Sequence, residues 1–199
     1  MAPAAATTEQ PTLRLEHRFT PELDDDVRDA ASGDGVALRR LYDQLAPKIA
    51  SYLRLRGAED PDGLTNDVFL TVFMRLDKLR GGWQGFRALA FTVAHSRMVD
   101  DRRRQDRQPR QTPYDADVDE RVEGSAEQHA LDGLEDDGPV QLLALLPEDQ
   151  RSVVMLRILG DLSVAQTAEV LRMTEPRVKK LQARAVLALR GLVGEEVAT

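Results

Sequence analysis

The chain contains no cysteine. That single absence removes disulfides, thiol nucleophiles and cysteine-ligated zinc together. Its only histidines are His17, His95 and His129, spread too widely to suggest a metal cluster, so neither a metal nor a cofactor is expected. Aromatic residues make up 5% of the chain, and aliphatic side chains must fill most of its interior. No apolar run approaches the roughly 20 residues that cross a bilayer. The opening "MAPAAATTEQPTLRLEH" lacks the basic and apolar regions of a signal peptide. A cytoplasmic protein with no membrane insertion is therefore the expectation. No Ser/His/Asp arrangement or glycine-rich phosphate loop stands out, so no catalytic residue is assigned and the chain does not read as an enzyme.

Charge is abundant but unevenly placed. The formal net charge is -7, yet Phe86 to Arg110 carries seven arginines against three aspartates. Six of those arginines fall within "RMVDDRRRQDRQPR". Ser163 to Leu192 holds six bases and two glutamates, whereas Gln111 to Asp149 holds twelve acids and one arginine. Two basic islands are thus separated by an acidic bridge. A ligand feels each island on its own, because screening limits the field to about 8–10 Å.

The organisation follows the same division. Residues 1–22, rich in Ala, Pro and Thr, are expected to form a disordered tail. Residues 23–110 show helical spacing throughout. In "VALRRLYDQLAPKIASYL" the residues Val36, Leu38, Leu41, Tyr42, Leu45, Ile49 and Leu53 mark one face. "GLTNDVFLTVFMRLDKLRGG" repeats the pattern through Leu64, Val68, Phe69, Val72, Phe73, Leu76 and Leu79, with an expected end at Gly81–Gly82. A third helix is expected from about Phe86 through Val99 and into the arginines. Residues 111–138 lack an apolar period and read as a flexible acidic linker. Residues 139–194 are helical again, followed by a short tail at 195–199. The fold class is all-α: two small helical domains joined by a linker.

The sharpest local pattern lies between Ser163 and Arg190. Ser163 and Gln166 have the spacing of a capping box, in which each side chain satisfies a backbone amide at a helix start. The short helix "VAQTAEVL" leads through "RMT" to a second start, with Thr174 as N-cap and Pro176 in the first turn. Val178, Leu181, Ala185 and Leu189 fall on the buried face of that second helix. Arg177, Lys179, Lys180, Gln182 and Arg184 fall on the other. Two short helices with a tight turn, the second basic outside and aliphatic inside, form a helix-turn-helix. Such a helix fits the DNA major groove.

"LLPEDQRSVVMLRILGDLSVAQTAEVLRMTEPRVKKLQARAVLALRGL" resembles domain 4 of the extracytoplasmic-function (group 4) sigma factors of the sigma-70 family. Upstream, "LYDQLAPKIASYL", "LTNDVFLTVFMRLDKL" and "FRALAFTVAHSRMVDDRRR" look like domain 2 of the same family. The two resemblances occur in the family's order and cover roughly 140 residues. Departures fall within the motifs: Arg172 stands where the family usually has glycine, so a left-handed backbone there would be strained. Pro176 and Arg177 replace a common Gly–Thr pair, and His95–Ser96 replaces Arg–Asn.

The resemblance implies a protein that docks on core RNA polymerase through the clamp helices and the flap. It also implies reading of the -35 and -10 promoter elements and help in opening promoter DNA. Asp67, Phe69 and Phe73 match the polymerase-binding segment, although the two phenylalanines equally suit a core. Arg87, His95, Ser96, Arg97, Asp100, Arg102, Arg103 and Arg104 match the -10 region, where an unstacked base and a single-stranded backbone must be held. Thr174, Glu175, Arg177, Lys179, Lys180, Gln182 and Arg184 match the -35 reader. An anti-sigma factor is a further implied partner, and the linker matches a connector that threads the polymerase cleft. A helix-turn-helix regulator acting without replacing sigma is the alternative; a helical adaptor for acidic proteins is a third reading.

Overall fold

The computed structural model describes residues 21–105 and 142–196, and among these every regular element is a helix. Four helices form the N-terminal half: α1 (Pro21–Ala31), α2 (Gly35–Leu55), α3 (Pro61–Phe73) and α4 (Gly82–Gln105), with a 3-10 turn at Leu76–Lys78. The C-terminal half holds a helical stretch at 142–144, then α5 (Glu148–Ile158), α6 (Val164–Leu171) and α7 (Glu175–Glu196). The expected linker and most of both tails lie outside the described residues. Pro21 and Glu22 belong to α1, however, and α7 extends to Glu196, so the helices take two residues from each tail as read from the sequence.

Local chemistry sets the helix starts. Asp34 caps α2 by accepting from the backbone N–H of Val36 at 2.7 Å. Asp60 caps α3 through Gly63 N–H at 2.8 Å, and Pro61 fills the first turn, where no N–H is needed. The cap of α4 comes from another helix: Asp24 of α1 accepts from Trp83 N–H at 2.6 Å. Gly81–Gly82 therefore opens α4 instead of closing the preceding helix, which had already ended at Phe73. Both glycines have positive φ, and a Cβ on Gly82 would collide with the Asp24 carboxylate.

Ala37, Leu41, Leu45, Ile49 and Leu53 of α2 are buried, as their spacing requires. They meet an aromatic cluster in which Phe69 lies 4.7 Å from Tyr42 and 6.4 Å from Phe86, ring to ring. Trp83 stacks on Phe86 at 5.6 Å, and Tyr52 meets Phe91 edge-on at 5.5 Å. Burial of each such ring stabilises the half by roughly 1.5–3 kcal/mol.

The two halves share this core. Leu146, Met155, Leu156 and Leu162 belong to the same buried cluster as Phe86 and Phe91. Arg151, itself buried, donates to the carbonyls of Ala144 at 2.6 Å and Leu146 at 3.0 Å, and reaches Leu55 at the end of α2. These bonds satisfy carbonyls that a helix end and a turn leave open. A smaller cluster of Val153, Ala168 and Val178 holds α6 and α7 against α5.

Candidate nucleic-acid interface

The helix-turn-helix is built on caps. Ser163 Oγ accepts from Gln166 N–H at 3.1 Å, while Ser163 N–H donates to Gln166 Oε1 at 2.8 Å, closing the capping box. The turn after α6 places Arg172 at φ 53 and ψ 43, a left-handed conformation in a non-glycine residue. Arg172 N–H and Met173 N–H return to carbonyls in the last turn of α6, which fixes the direction of the chain into α7.

Burial of Val178 and Ala185 turns the opposite face of α7 outward. Thr174, Glu175, Arg177, Lys179, Lys180 and Arg184 are all exposed there. Arg177, Lys180 and Arg184 line a groove of about 540 Å³ with Pro176, Leu181 and Asp149. Arg177 pairs with Asp149 at 2.9 Å, both half-exposed. Gln182 is placed differently from its neighbours: it is half-buried and accepts from Arg157 Nε at 3.3 Å. Arg157 also donates to the Leu162 carbonyl, and burial lowers its pKa. Gln182 thus braces α7 on α5.

The structure divides the candidates on α4 among three directions. Ser96, Asp100 and Arg103 repeat at helical spacing and are exposed. Arg97 leans on α3, donating to Thr71 Oγ1 at 3.2 Å. Arg87, His95 and Arg102 share the stripe of Phe91 and face the C-terminal half. Arg87 is 5% exposed, bonded to Asp161 at 2.5 Å and lying over the Trp83 ring. Its expected approach to DNA is closed in this conformation. Arg102 pairs with Glu148 at 2.9 Å. Arg104 sits in the last turn of α4.

His95 Nδ1 lies 2.9 Å from Tyr52 Oη. Burial pushes the His95 imidazole down to about 4, reinforced by the cations of Arg56 and Arg172 and opposed by Glu148. Burial likewise pushes the Tyr52 phenol up to about 12. Both groups are neutral at pH 7, and the pair is a neutral hydrogen bond.

On α3, Phe69 is 2% exposed and Phe73 packs partly against the core, so their rings serve the interior. Asp67 is exposed. Beside it stand Leu70 at 63% and Met74 at 79% exposure, two apolar residues the sequence reading passed over. Their signal was an apolar pair at i, i+4 on the otherwise polar side of α3. Leu187 on α7 is similarly exposed at 67%. Among the described residues no group of His, Asp and Glu is arranged to hold a metal, and no helix is long and apolar enough to cross a membrane.

The family model described as sigma-70, region 4, matches residues 140–189. Over 173 residues the chain is 31% identical to the ECF RNA polymerase sigma factor BldN of Streptomyces coelicolor, covering 85% of this chain and 65% of that relative. It is 30% identical over 176 residues to the ECF RNA polymerase sigma factor ShbA of Streptomyces griseus subsp. griseus, covering 83% of this chain and 92% of the relative. A solved structure of CnrH in complex with the cytosolic domain of CnrY superposes with a TM-score of 0.57 at 23% identity. That match covers 87% of this chain and 97% of CnrH and is a likeness of fold.

Proposed function

This chain belongs to the extracytoplasmic-function (ECF) RNA polymerase sigma factors, and on that premise we propose how its parts divide the work of promoter-specific initiation. The carrying observation is the row of exposed cations on α7, which follows an α6 closed by a capping box at its start and by the left-handed turn at Arg172 at its end. Arg177, Lys179, Lys180 and Arg184 engage the -35 element, some reading base edges and others holding phosphates. Glu175, exposed at the start of α7, accepts from a cytosine amine in this reading.

On α4, Ser96, Arg97, Asp100, Arg102, Arg103 and Arg104 meet the -10 region and its single-stranded backbone. Asp67, Leu70 and Met74 offer core polymerase an acidic and apolar face of α3, with Phe69 and Phe73 supporting it from beneath. Leu187 and its neighbours on α7 suit the flap. The chain performs no bond chemistry of its own; it works by binding, in the cytoplasm with the polymerase. An anti-sigma factor is a further expected partner. Family membership favours this reading over a helix-turn-helix regulator that binds palindromic DNA without polymerase.

Reconstitution with core RNA polymerase and run-off transcription from a promoter library tests the proposal. A discrete set of promoter-specific products is expected; their absence with folded protein sinks it. Lys179→Ala and Arg184→Ala together should reduce -35-dependent initiation about tenfold or more, from contacts of roughly 1–3 kcal/mol each. Undiminished initiation by that double variant would move recognition to other residues.

A further inference from the structure

The chain holds five methionines and no cysteine. A two-electron oxidant such as hydrogen peroxide therefore meets thioether sulfur without a competing thiol. Access then decides which sulfur is attacked. Met98 and Met155 are buried in the main core, and Met173 packs against the small cluster of the helix-turn-helix. Met1 lies outside the described residues. Met74 is 79% exposed and is the most open of the described methionines.

The surroundings of Met74 give that access a consequence. It closes the C-terminal end of α3, where its N–H donates to the Leu70 carbonyl at 3.2 Å. Leu70, one turn earlier on the same stripe, is 63% exposed. The backbone is fixed here while both side chains stay in water. Two large apolar side chains side by side at the surface mark a contact surface, and the polymerase face proposed above covers it. A thioether suits such a contact because it is flexible, polarisable and apolar. Its sulfoxide does not, because the S–O oxygen needs a hydrogen-bond donor. Water supplies that donor in the free chain, and an apolar contact withholds it in the complex. Oxidation at this position spares the fold and penalises docking.

We propose that Met74 is an oxidation site that sets the affinity of this chain for core polymerase. The proposal rests on the reading of Asp67, Leu70 and Met74 as the polymerase face. In the step, a lone pair of Met74 Sδ attacks one oxygen of hydrogen peroxide, and the S–O bond forms as the O–O bond breaks. Sulfur is oxidised by two electrons to the sulfoxide. The other peroxide oxygen leaves as hydroxide and takes the proton of the transferred oxygen, giving water. The reverse step needs a thiol reductant and methionine sulfoxide reductases, one for each sulfoxide epimer.

The test uses the full chain, treated with hydrogen peroxide that catalase removes before polymerase is added. Peptide mass mapping should show Met74 gaining one oxygen at least about tenfold faster than Met98 or Met155. Fluorescence anisotropy of the labelled chain should show its affinity for core polymerase reduced about tenfold, with circular dichroism unchanged. Incubation with both reductases and dithiothreitol should restore that affinity. Met74→Gln places a polar side chain there without oxidant and should bind about tenfold more weakly than wild type. Met74→Leu should have the same affinity before and after peroxide, which assigns the loss to this sulfur and not to Met1 or another methionine.

Oxidation of Met98 and Met155 as fast as Met74 overturns the proposal, as does a peroxide-dependent loss that persists in Met74→Leu. A Met74 sulfoxide that binds polymerase as tightly as the thioether also overturns it. In that last case, weak binding by Leu70→Gln with Met74→Gln confines the failure to oxidation. Wild-type affinity in that pair shows that the polymerase face itself lies elsewhere.

Discussion

The two halves of this protein solve the problem of presenting a basic helix in opposite ways. Among the described residues, the N-terminal half holds seven aromatics, Tyr42, Tyr52, Phe69, Phe73, Trp83, Phe86 and Phe91, and the C-terminal half holds none. Large rings give α4 a rigid bed, and one side of that bed continues into the other half. The helix-turn-helix rests on the small cluster of Val153, Ala168 and Val178, on Val170 and Ala185 in the shared core, and on caps. Its cations are exposed, with Arg177 sharing Asp149, whereas on the Phe91 stripe of α4 Arg87 is buried against Asp161 and Arg102 is paired with Glu148. A helix placed by volume can lose a face to its neighbours; one placed by caps keeps its outer face free.

That contrast can be broken by mutation. Phe86→Ala should destabilise the protein by roughly 3–5 kcal/mol in urea unfolding, through lost transfer energy and a cavity. Val178→Ala should cost only about 2 kcal/mol by the same measurement. Equal losses would mean that the helix-turn-helix depends on packing as heavily as α4 does.

An effect confined to acid, and absent at neutral pH, should come from His95. Its imidazole is held at about 4 when folded against an ordinary 6.5 when unfolded. The unfolded chain therefore binds more protons between those values, and stability falls as pH drops from about 6.5 to 4. The groups facing His95 are Tyr52, Arg56, Arg172 and Glu148. Thermal melts of His95→Gln should show a flatter decline across that window; an identical slope would remove His95 from the acid response.

The smallest effect belongs to the C-terminal half. Arg172→Gly should raise stability by about 0.5–1 kcal/mol in chemical denaturation, by relieving a left-handed residue at the α6 C-terminus. A loss instead would show that the Arg172 side chain contributes more than its backbone costs.

Much of the helix-turn-helix was legible in the sequence because its signals are local. Ser163 and Gln166 are three residues apart, and α6 spans the expected Val164–Leu171. The strain expected at Arg172 is present as a positive φ. The reading of Gly81–Gly82 as a helix end failed because the capping aspartate, Asp24, lies 59 residues from Trp83. Leu70 and Met74 were passed over because "VFLTVFM" is apolar on several sides, and spacing cannot rank one stripe above another until the core is known. Gln182 looked like part of a basic reading face, yet its bond to Arg157 spans 25 residues.

The sequence by itself determined that this chain is helical, where its basic helices lie, and which family it resembles, since caps, turns and periodicity act over a few residues. Only the tertiary structure decided which side of α4 faces solvent. Arg87 and Asp161 are 74 residues apart, and Arg102 and Glu148 are 46 apart. A helix carries all its faces in one string of letters, and only the packing of a distant segment distinguishes the covered face from the free one.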